Sequence, residues 1–352
     1  MTKLLFRVRY GLALYLALVL LMVSSPGAAG DLVQATNDGS LYLLGRGETA
    51  RLGVAGSDEQ VLELPAGARV YELVATIDGW VATGSLPSEN GFDLLVMQDR
   101  EGGRHTLAPP AGRQGRYRVQ AVALVDEGHL AGVAWIEGDQ QEVFEVWAAV
   151  WDGANFGEPE VVSPVGPGAQ LALEGAVLDD GSWLLVWAAV DGEDDEIMWS
   201  VRREESWSTP SRLHSDNHVP DVTPALVAID GGALAAWSWF DGNDYRLRMA
   251  RFDGEGWSLP EVFGEKGSLE PGFTVHGESV RLLYKTIAPP SWTLEEIDRT
   301  GAKTRRAVWS GDITERPLVL GGDEVDAGLQ WPQGSGDLDA GRKWPVPWEA
   351  EP

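Results

Sequence analysis

Residues 225–263, ALVAIDGGALAAWSWFDGNDYRLRMARFDGEGWSLPEVF, divide into four short segments separated by turn residues. The first two segments, Ala225–Ile229 and Ala233–Trp239, are apolar runs that are each followed by an Asp-Gly turn. The third, Tyr245–Phe252, alternates polar and apolar residues, and the fourth, Trp257–Phe263, follows a further Asp-Gly turn. Short apolar or alternating runs between such turns are typical of strands and hairpins. The stretch therefore predicts a sheet of four antiparallel strands.

The same pattern recurs at intervals of about fifty residues. Trp135, Trp187 and Trp237 close equivalent apolar runs and lie 52 and 50 residues apart. Three further landmarks keep this register: an aspartate (Asp139, Asp191, Asp241), a large apolar residue (Trp147, Trp199, Met249) and a later aromatic residue (Phe156, Trp207, Trp257). Weaker equivalents at Gly84, Tyr284 and Trp331 extend the repeat in both directions.

Repeated four-stranded units with aromatic landmarks predict an all-β fold, a β-propeller of four-stranded antiparallel blades. One such sheet has two apolar faces and must bury both against neighbours, and tryptophans at a fixed register can fill the space between blades. Tyr284 occupies this register and is expected in the core. The chain length favours seven blades, with six as the alternative. The last segment, residues 332–352, is rich in Gly, Pro and Asp, so the first strand after residue 30 is a candidate to complete the last blade.

The first thirty residues have the organisation of a secretory signal peptide. Lys3, Arg7 and Arg9 precede the apolar run Gly11–Val23, and the small residues 27–30 follow it. The run is shorter than the roughly 20 residues of a spanning helix. We therefore expect residues 1–30 to be a signal peptide and residues 31–352 a single propeller domain, with an uncleaved N-terminal anchor as the alternative. The predicted location is secreted or periplasmic.

Composition excludes several classes of function. The chain has 54 acidic and 27 basic residues, a net charge of −27, and no cysteine. Nucleic-acid binders concentrate Lys and Arg, so a nucleic-acid partner is not expected. The absence of cysteine excludes disulfides, thiol catalysis and cysteine-ligated metals. No cofactor is predicted, and no membrane contact once the signal peptide is cleaved.

The repeats over residues 115–264 resemble those of sialidase-like, BNR-repeat propellers, which carry the Asp-box Ser-x-Asp-x-Gly-x-x-Trp. Here the box is degraded: Asp253-Gly-Glu-Gly-Trp257 has a shorter spacing, with Arg251 in the place of Ser, and Glu204-Glu-Ser-Trp207 lacks the Asp. The resemblance implies a propeller and, in some relatives, glycan hydrolysis or glycan binding. The aromatic-Arg-x-Pro run that introduces the first substrate-binding arginine of sialidases is absent. Arg246, Arg248 and Arg251 are expected on a solvated face, so no catalytic residue is assigned.

Carboxylates in the turns between the second and third strands are the first group of candidate binding residues. These turns share a face with the blade-to-blade connections of a propeller, where functional pockets usually open. The candidates are Asp139, Asp191, Asp194, Asp195, Asp241 and Asp244. Asp191, Glu193 and Asp195 alternate as in a calcium loop, so Ca²⁺ is one interpretation and plain hairpin turns are the other.

His214 and His218 are the second group, in a segment that connects two blades. Two histidines in a loop without an assigned third ligand do not define a metal site. They are candidates for a ligand pocket on the same face.

The leading functional hypothesis is an exported, non-catalytic propeller that binds a glycan, a peptide or a partner protein through its loop face. One alternative is a glycan-active hydrolase, similar to sialidases, that uses carboxylates such as Asp191, Asp195, Asp241 or Glu270. Another is a scaffold subunit of an envelope assembly. The sequence gives no prediction of oligomeric state.

Overall fold

The computed structural model of the chain describes the residues that carry the repeat. It describes residues 64–77, 79–89, 91–98, 120–138, 144–163, 170–190, 194–214, 219–275, 279–298 and 301–310, together with the backbone of the further strands given below. Residues 1–31, on which the signal-peptide prediction rests, lie outside the described part. Within the described part, no helix has the length and apolarity needed to cross a membrane.

The described residues form 28 strands, which are numbered here in chain order. They are β1 (Leu32–Ala35), β2 (Leu41–Arg46), β3 (Thr49–Val54), β4 (Gln60–Glu63), β5 (Arg69–Thr76), β6 (Gly79–Ser88), β7 (Gly91–Gln98), β8 (Arg104–Leu107), β9 (Tyr117–Asp126), β10 (His129–Gly138), β11 (Phe144–Val150), β12 (Glu160–Ser163), β13 (Gln170–Val177) and β14 (Trp183–Val190). The others are β15 (Asp195–Arg203), β16 (Ser206–Trp207), β17 (Ser211–Arg212), β18 (Asp221–Ile229), β19 (Gly232–Phe240), β20 (Tyr245–Phe252), β21 (Glu261–Phe263), β22 (Ser268–His276), β23 (Ser279–Ile287), β24 (Pro290–Ile297), β25 (Lys303–Ser310), β26 (Leu318–Leu320), β27 (Gly328–Gln330) and β28 (Lys343–Pro345).

These strands make seven antiparallel sheets, each from one continuous stretch of chain. We call them blades 1 to 7: β1–β4, β5–β8, β9–β12, β13–β17, β18–β21, β22–β25 and β26–β28. In blades 1 to 6 the first strand lies beside the first strand of the next or preceding blade, as the inner strands of a propeller do. The all-β propeller prediction is confirmed, and the described strands agree with seven blades.

The ring does not close in the way that the sequence suggests. The first strand, β1, pairs with β2 inside blade 1, and blade 7 contains three strands from the C-terminal part of the chain. β1 lies beside β26, so blades 1 and 7 are neighbours without sharing a strand. Leu32–Ala35 pairs inside blade 1 because β2, β3 and β4, which complete a four-stranded sheet with it, follow within the next thirty residues.

The tryptophans at the repeated position fill the space between blades, as predicted. Trp135, Trp187 and Trp237 are at most 1% exposed, and each lies in one core cluster with side chains of the preceding blade. Tyr284 is equally buried between blades 5 and 6. Truncating such a ring to alanine typically costs about 3–5 kcal/mol. These rings therefore hold neighbouring blades together.

Gly84 is the exception in this register. A Cβ atom at this position would lie 2.0 Å from the carbonyl oxygen of Arg69 on the paired strand, so no larger residue fits. Trp80, four residues earlier on the same strand, fills the core of blade 2 instead.

The inner strands of blades 4 to 6 share a bulge that the sequence does not reveal. Ala172, Thr223 and Glu270 have φ angles of 50° to 55°, and the strand register shifts at each of them. Left-handed backbone is uncommon for residues other than glycine. Ser238 of blade 5 accepts the backbone N–H of Glu270 at 2.9 Å, so one blade supports the bulge of the next.

Candidate functional site

The turn between the second and third strands of blade 5 lies against the connection to blade 6. Lys266 of this connection pairs with Asp244 at 2.8 Å, and the N–H of Gly267 donates to the carbonyl oxygen of Tyr245 at 2.7 Å. We call this end of the blades the loop face. The contacts agree with the expectation that both kinds of loop share one face.

Asp241 and Asp244, two of the predicted site residues, form contacts within this turn or beside it. Asp241 accepts the backbone N–H groups of Asn243 and Asp244, both at 2.9 Å, and pairs with Arg246. The two backbone hydrogen bonds hold the pKa of Asp241 below its ordinary value. Asp241 is therefore ionised and engaged in its own hairpin.

Two of the other predicted acidic residues, Asp194 and Asp195, lie at the start of β15. Asp195 is the first residue of this strand and is buried, and Asp194 precedes it and is half-buried. Asp139, Asp191, Glu193 and His218 lie outside the described residues. The calcium-loop interpretation of Asp191, Glu193 and Asp195 therefore stays a prediction.

His214, the remaining predicted residue, lies in the connection between blades 4 and 5 and contacts the inner strand of blade 5. Its Nε2–H donates to Oδ2 of Asp221 at 2.9 Å, and its ring stacks on Trp237 with 5.6 Å between ring centroids. The second carboxylate oxygen, Oδ1, accepts Nε1–H of Trp237, also at 2.9 Å. Asp221 is 0% exposed, so these contacts hold a buried carboxylate.

A similar indole hydrogen bond occurs in blade 4, with an uncharged acceptor. Nε1–H of Trp187 donates to Oε1 of Gln170, which is the first residue of its inner strand as Asp221 is of β18. An amide satisfies the indole without burying a charge. Blade 5 therefore differs from blade 4 in having a charged acceptor for the indole. The same carboxylate also accepts the hydrogen bond from His214.

Glu196, the second residue of β15, adds a further buried carboxylate. It is 1% exposed, and neither of its oxygens has a hydrogen-bond partner among the described residues. Burial raises its pKa to about 7, helped by the negative charges of Asp221 and Asp194 and opposed by His214 and Arg212. A buried carboxylate without donors is costly and is uncommon in a structural core.

Glu196, His214 and Asp221 converge at the junction of blades 4 and 5. One nitrogen or oxygen atom from each lies within 4.8 Å of the others. We call these three residues the junction cluster. Of these three, the sequence predicted only His214 as a site residue.

A signal for Asp221 was present in the sequence. Asp221 stands sixteen residues before Trp237, close to the spacing of seventeen between Gln170 and Trp187. The comparison of these two polar residues at the same register could have identified it. Glu196 follows Asp194 and Asp195 in an acidic run that resembles a solvated turn, so its burial could not be inferred.

Arg248 faces the same region, which corrects the expectation of a solvated position. It is half-buried, and its guanidinium carbon lies 3.9 Å from the ring centroid of Trp239. Burial lowers its pKa, while the charges of Asp221 and Glu196 oppose that shift. Alternation along β20 predicted an outward-facing side chain. Trp239, on the paired strand β19, stacks on the guanidinium group and partly shields it from solvent.

Half-buried aromatic residues surround the turn of blade 5. Phe240 and Tyr245 flank it, with 5.2 Å between their ring centroids, and Trp239 adjoins them. Burial raises the pKa of Tyr245, and the charge of Asp195 adds to the shift. Aromatic and charged side chains therefore occur together at the loop face of blade 5.

Comparison with known proteins supports the fold. The Dos1 propeller aligns with a TM-score of 0.51 and 9% identity over 90% of this chain and 86% of its own. A prolyl endopeptidase aligns with a TM-score of 0.52 and 14% identity over 91% of this chain, which spans half of that enzyme. TolB from Acinetobacter baumannii aligns with a TM-score of 0.46 and 13% identity over 85% of this chain and 67% of its own. No protein-family model and no curated protein matches the sequence. At these identities the two alignments with a TM-score above 0.5 show the β-propeller fold alone.

Proposed function

We propose that the protein is an exported, non-catalytic β-propeller that binds a segment of a partner protein through the loop face of blade 5. The observation that carries this proposal is the set of half-buried aromatic rings, Trp239, Phe240 and Tyr245, next to charged groups at that face. Trp, Tyr and Arg are the residues most enriched at binding hot spots.

The charged side chains around these rings are accessible to polar groups of a partner protein. Asp244 and Lys266 form an ion pair in which both side chains keep access to solvent, at 31% and 67% exposure. Arg246 is 38% exposed beside Asp241. An aromatic centre with a polar, accessible rim is the usual arrangement of a protein–protein interface.

The engagement of the carboxylates supports a non-catalytic role. A glycosidase needs one carboxyl group that holds a proton and a second that acts as base or nucleophile. Asp241 has a lowered pKa, and Glu270 pairs with Lys285. Both oxygens of Asp221 already accept hydrogen bonds. Glu196 has the raised pKa of a general acid, but it is 1% exposed and therefore out of reach of a glycan.

Two finer assignments complete the proposal. The N-terminal sequence pattern supports export to the periplasm or the exterior. Membership of the sialidase-like, BNR-repeat group is supported by the turns between third and fourth strands, where Asp152 and Asp253 each accept two backbone N–H groups at 2.6–2.9 Å. An aromatic residue follows each turn and makes an isolated bridge, Phe156 to Trp151 and Trp257 to Phe252.

Array binding tests the proposal directly. The purified chain would be screened against peptide arrays, glycan arrays and chromogenic glycosides, together with Tyr245→Ala and a matched control, Leu259→Ala. Leu259 is an 88% exposed apolar residue of the same blade, outside the loop face. We expect peptide binding that falls at least tenfold in Tyr245→Ala and persists in the control. Binding confined to glycans, or turnover of any glycoside, would contradict the proposal.

A further inference from the structure

Glu196 in the junction cluster is a buried carboxylate without a hydrogen-bond donor, although the positive charges of Arg212 and Arg248 act on it electrostatically. It is 1% exposed and both of its oxygens lack hydrogen-bond partners among the described residues. A buried carboxylate of this kind is tolerated when a cation or a donor occupies the space beside it. One nitrogen atom of His214 and one oxygen atom of Asp221 lie within 4.8 Å of a carboxylate oxygen of Glu196.

From this geometry we propose that Glu196, His214 and Asp221 bind one first-row divalent transition-metal ion, with Zn²⁺ as the reference ion. Imidazole nitrogen and carboxylate oxygen are ordinary zinc ligands. Ligand atoms of a tetrahedral zinc ion lie about 3.3 Å apart, so the 2.9 Å between Nε2 of His214 and Oδ2 of Asp221 would open only slightly. The ion would replace the proton on Nε2, and the imidazole would bind as the neutral tautomer with its proton on Nδ1.

The surroundings of the cluster support this proposal. Asp221 keeps its hydrogen bond from Trp237, and an outer-shell donor of this kind fixes the orientation of a ligating carboxylate. The ring of His214 is held against Trp237, which limits its rotation. The formal charges of Glu196 and Asp221 together balance a divalent ion.

The ligands would link two blades. Glu196 belongs to the third strand of blade 4, Asp221 to the first strand of blade 5, and His214 to the connection between them. A bound ion would therefore stabilise the folded state, because the unfolded chain does not hold the three ligands together. Zinc binding at this site does not depend on the binding of a partner protein.

A control variant exists at the equivalent position of blade 3. Glu145 lies two residues before Trp147, as Glu196 lies two residues before Met198, and Trp147 and Met198 pair with Trp135 and Trp187. Glu145 is also buried, at 5% exposure, but it is not part of the junction cluster. Glu145→Gln therefore makes the same chemical change at a similar depth.

The test uses the full chain after chelator treatment, titrated with Zn²⁺ in competition with a chromogenic chelator. We expect one ion per chain, with affinity reduced at least tenfold in Glu196→Gln and His214→Gln and kept in Glu145→Gln. Ca²⁺ in excess is expected not to displace the zinc, because calcium prefers a shell made of oxygen ligands. Equal zinc affinity in the wild type, Glu196→Gln and His214→Gln would refute the site.

Thermal unfolding gives a second readout that also checks that the variants fold. Zn²⁺ should raise Tm of the wild type and of Glu145→Gln, and at the same zinc concentration it should raise Tm of Glu196→Gln clearly less. Without zinc, Glu196→Gln should be at least as stable as the wild type, since it removes a buried carboxylate that has no donor. An equal zinc-induced rise in Tm in all three proteins would count against the proposal.

Discussion

Trp237 and Trp187 make the same indole hydrogen bond to acceptors of different charge, which allows a matched comparison. Hydrogen bonds to charged groups contribute about 1.5–3 kcal/mol, and neutral ones about 0.5–1.5 kcal/mol. We expect Trp237→Phe to lower the free energy of unfolding by roughly 1–2 kcal/mol more than Trp187→Phe, because Asp221 is left with a missing donor. Urea unfolding in chelator-treated buffer measures the difference. Equal losses would mean that the charge of Asp221 plays no part in the stability of blade 5.

Glu72 gives the fold a dependence on pH. It lies on the inner strand of blade 2 and accepts the N–H of Ala123 in blade 3 at 2.5 Å. Burial raises its pKa from 4.5 to about 7, and this hydrogen bond only partly opposes the shift. The unfolded chain therefore releases the proton of Glu72 at lower pH than the folded chain. Native stability should fall as the pH rises through this interval.

The variant Glu72→Gln removes this ionisation and keeps an acceptor for Ala123. Its stability relative to the wild type should increase by roughly 2–3 kcal/mol between about pH 5 and about pH 8, measured by urea unfolding. Glu89→Gln, an exposed change on the same blade, is the control. A constant difference between Glu72→Gln and the wild type across this range would show that Glu72 ionises at its ordinary pKa.

For single residues, the sequence predicts the burial of large apolar side chains better than the burial of charged ones. The spacing of Trp135, Trp187 and Trp237 was sufficient to place them in the core, because large apolar side chains at a fixed register have few alternatives. Glu196 could not be placed in the same way. Its burial depends on the packing of blade 4 against blade 5, and local sequence does not encode that contact.

At the level of elements, the bulge of β13 offers a test of backbone strain. Ala172 has φ 50°, a conformation that glycine adopts without a steric penalty. Ala172→Gly should therefore keep or raise the free energy of unfolding, by up to about 1 kcal/mol.

The control is Ala176→Gly in the same strand, where both alanines are partly buried against the same core cluster. Glycine in a regular strand costs about 0.5–1 kcal/mol, so Ala176→Gly should be less stable than the wild type. Chemical denaturation compares the three proteins. A loss in Ala172→Gly as large as that in Ala176→Gly would show that the bulge stores no strain.

Strand positions were easier to predict than strand lengths. In blade 5 the predicted second and third strands agree with β19 and β20 to within one residue, because Asp-Gly turns bound them. The predicted fourth strand, Trp257–Phe263, is shorter in the structure, where Trp257 makes an isolated bridge to Phe252 and β21 spans Glu261–Phe263. An outermost strand pairs on one edge only, so its sequence specifies pairing weakly.

At the level of the whole molecule, closure of the ring depends on the C-terminal blade. β26 lies beside β1, so a chain that ends after residue 310 leaves the first blade without this neighbour. We expect such a chain to unfold at a lower temperature and to be cleaved faster by protease than the full chain. Removal of residues 346–352 alone, beyond β28, is the control. An unchanged Tm in the longer truncation would show that β26–β28 contribute nothing to closure.

Periodicity predicted the number of blades, but the arrangement at closure could not be read from it. The segment after residue 331 is poor in apolar residues, and this composition favoured a strand borrowed from the N-terminus. β1 instead stays with its sequence neighbours, because hairpin pairing closes a much shorter loop than pairing with the far end of the chain.

Each of the seven sheets takes its strands from one uninterrupted stretch, in the order in which they are synthesised. As the chain leaves the ribosome, every hairpin of a blade can form before the next blade exists, and only the meeting of the two ends must wait for synthesis to finish. The same arrangement makes the blade a unit of inheritance: a gene segment that encodes one sheet can be duplicated or lost without separating strands that belong together.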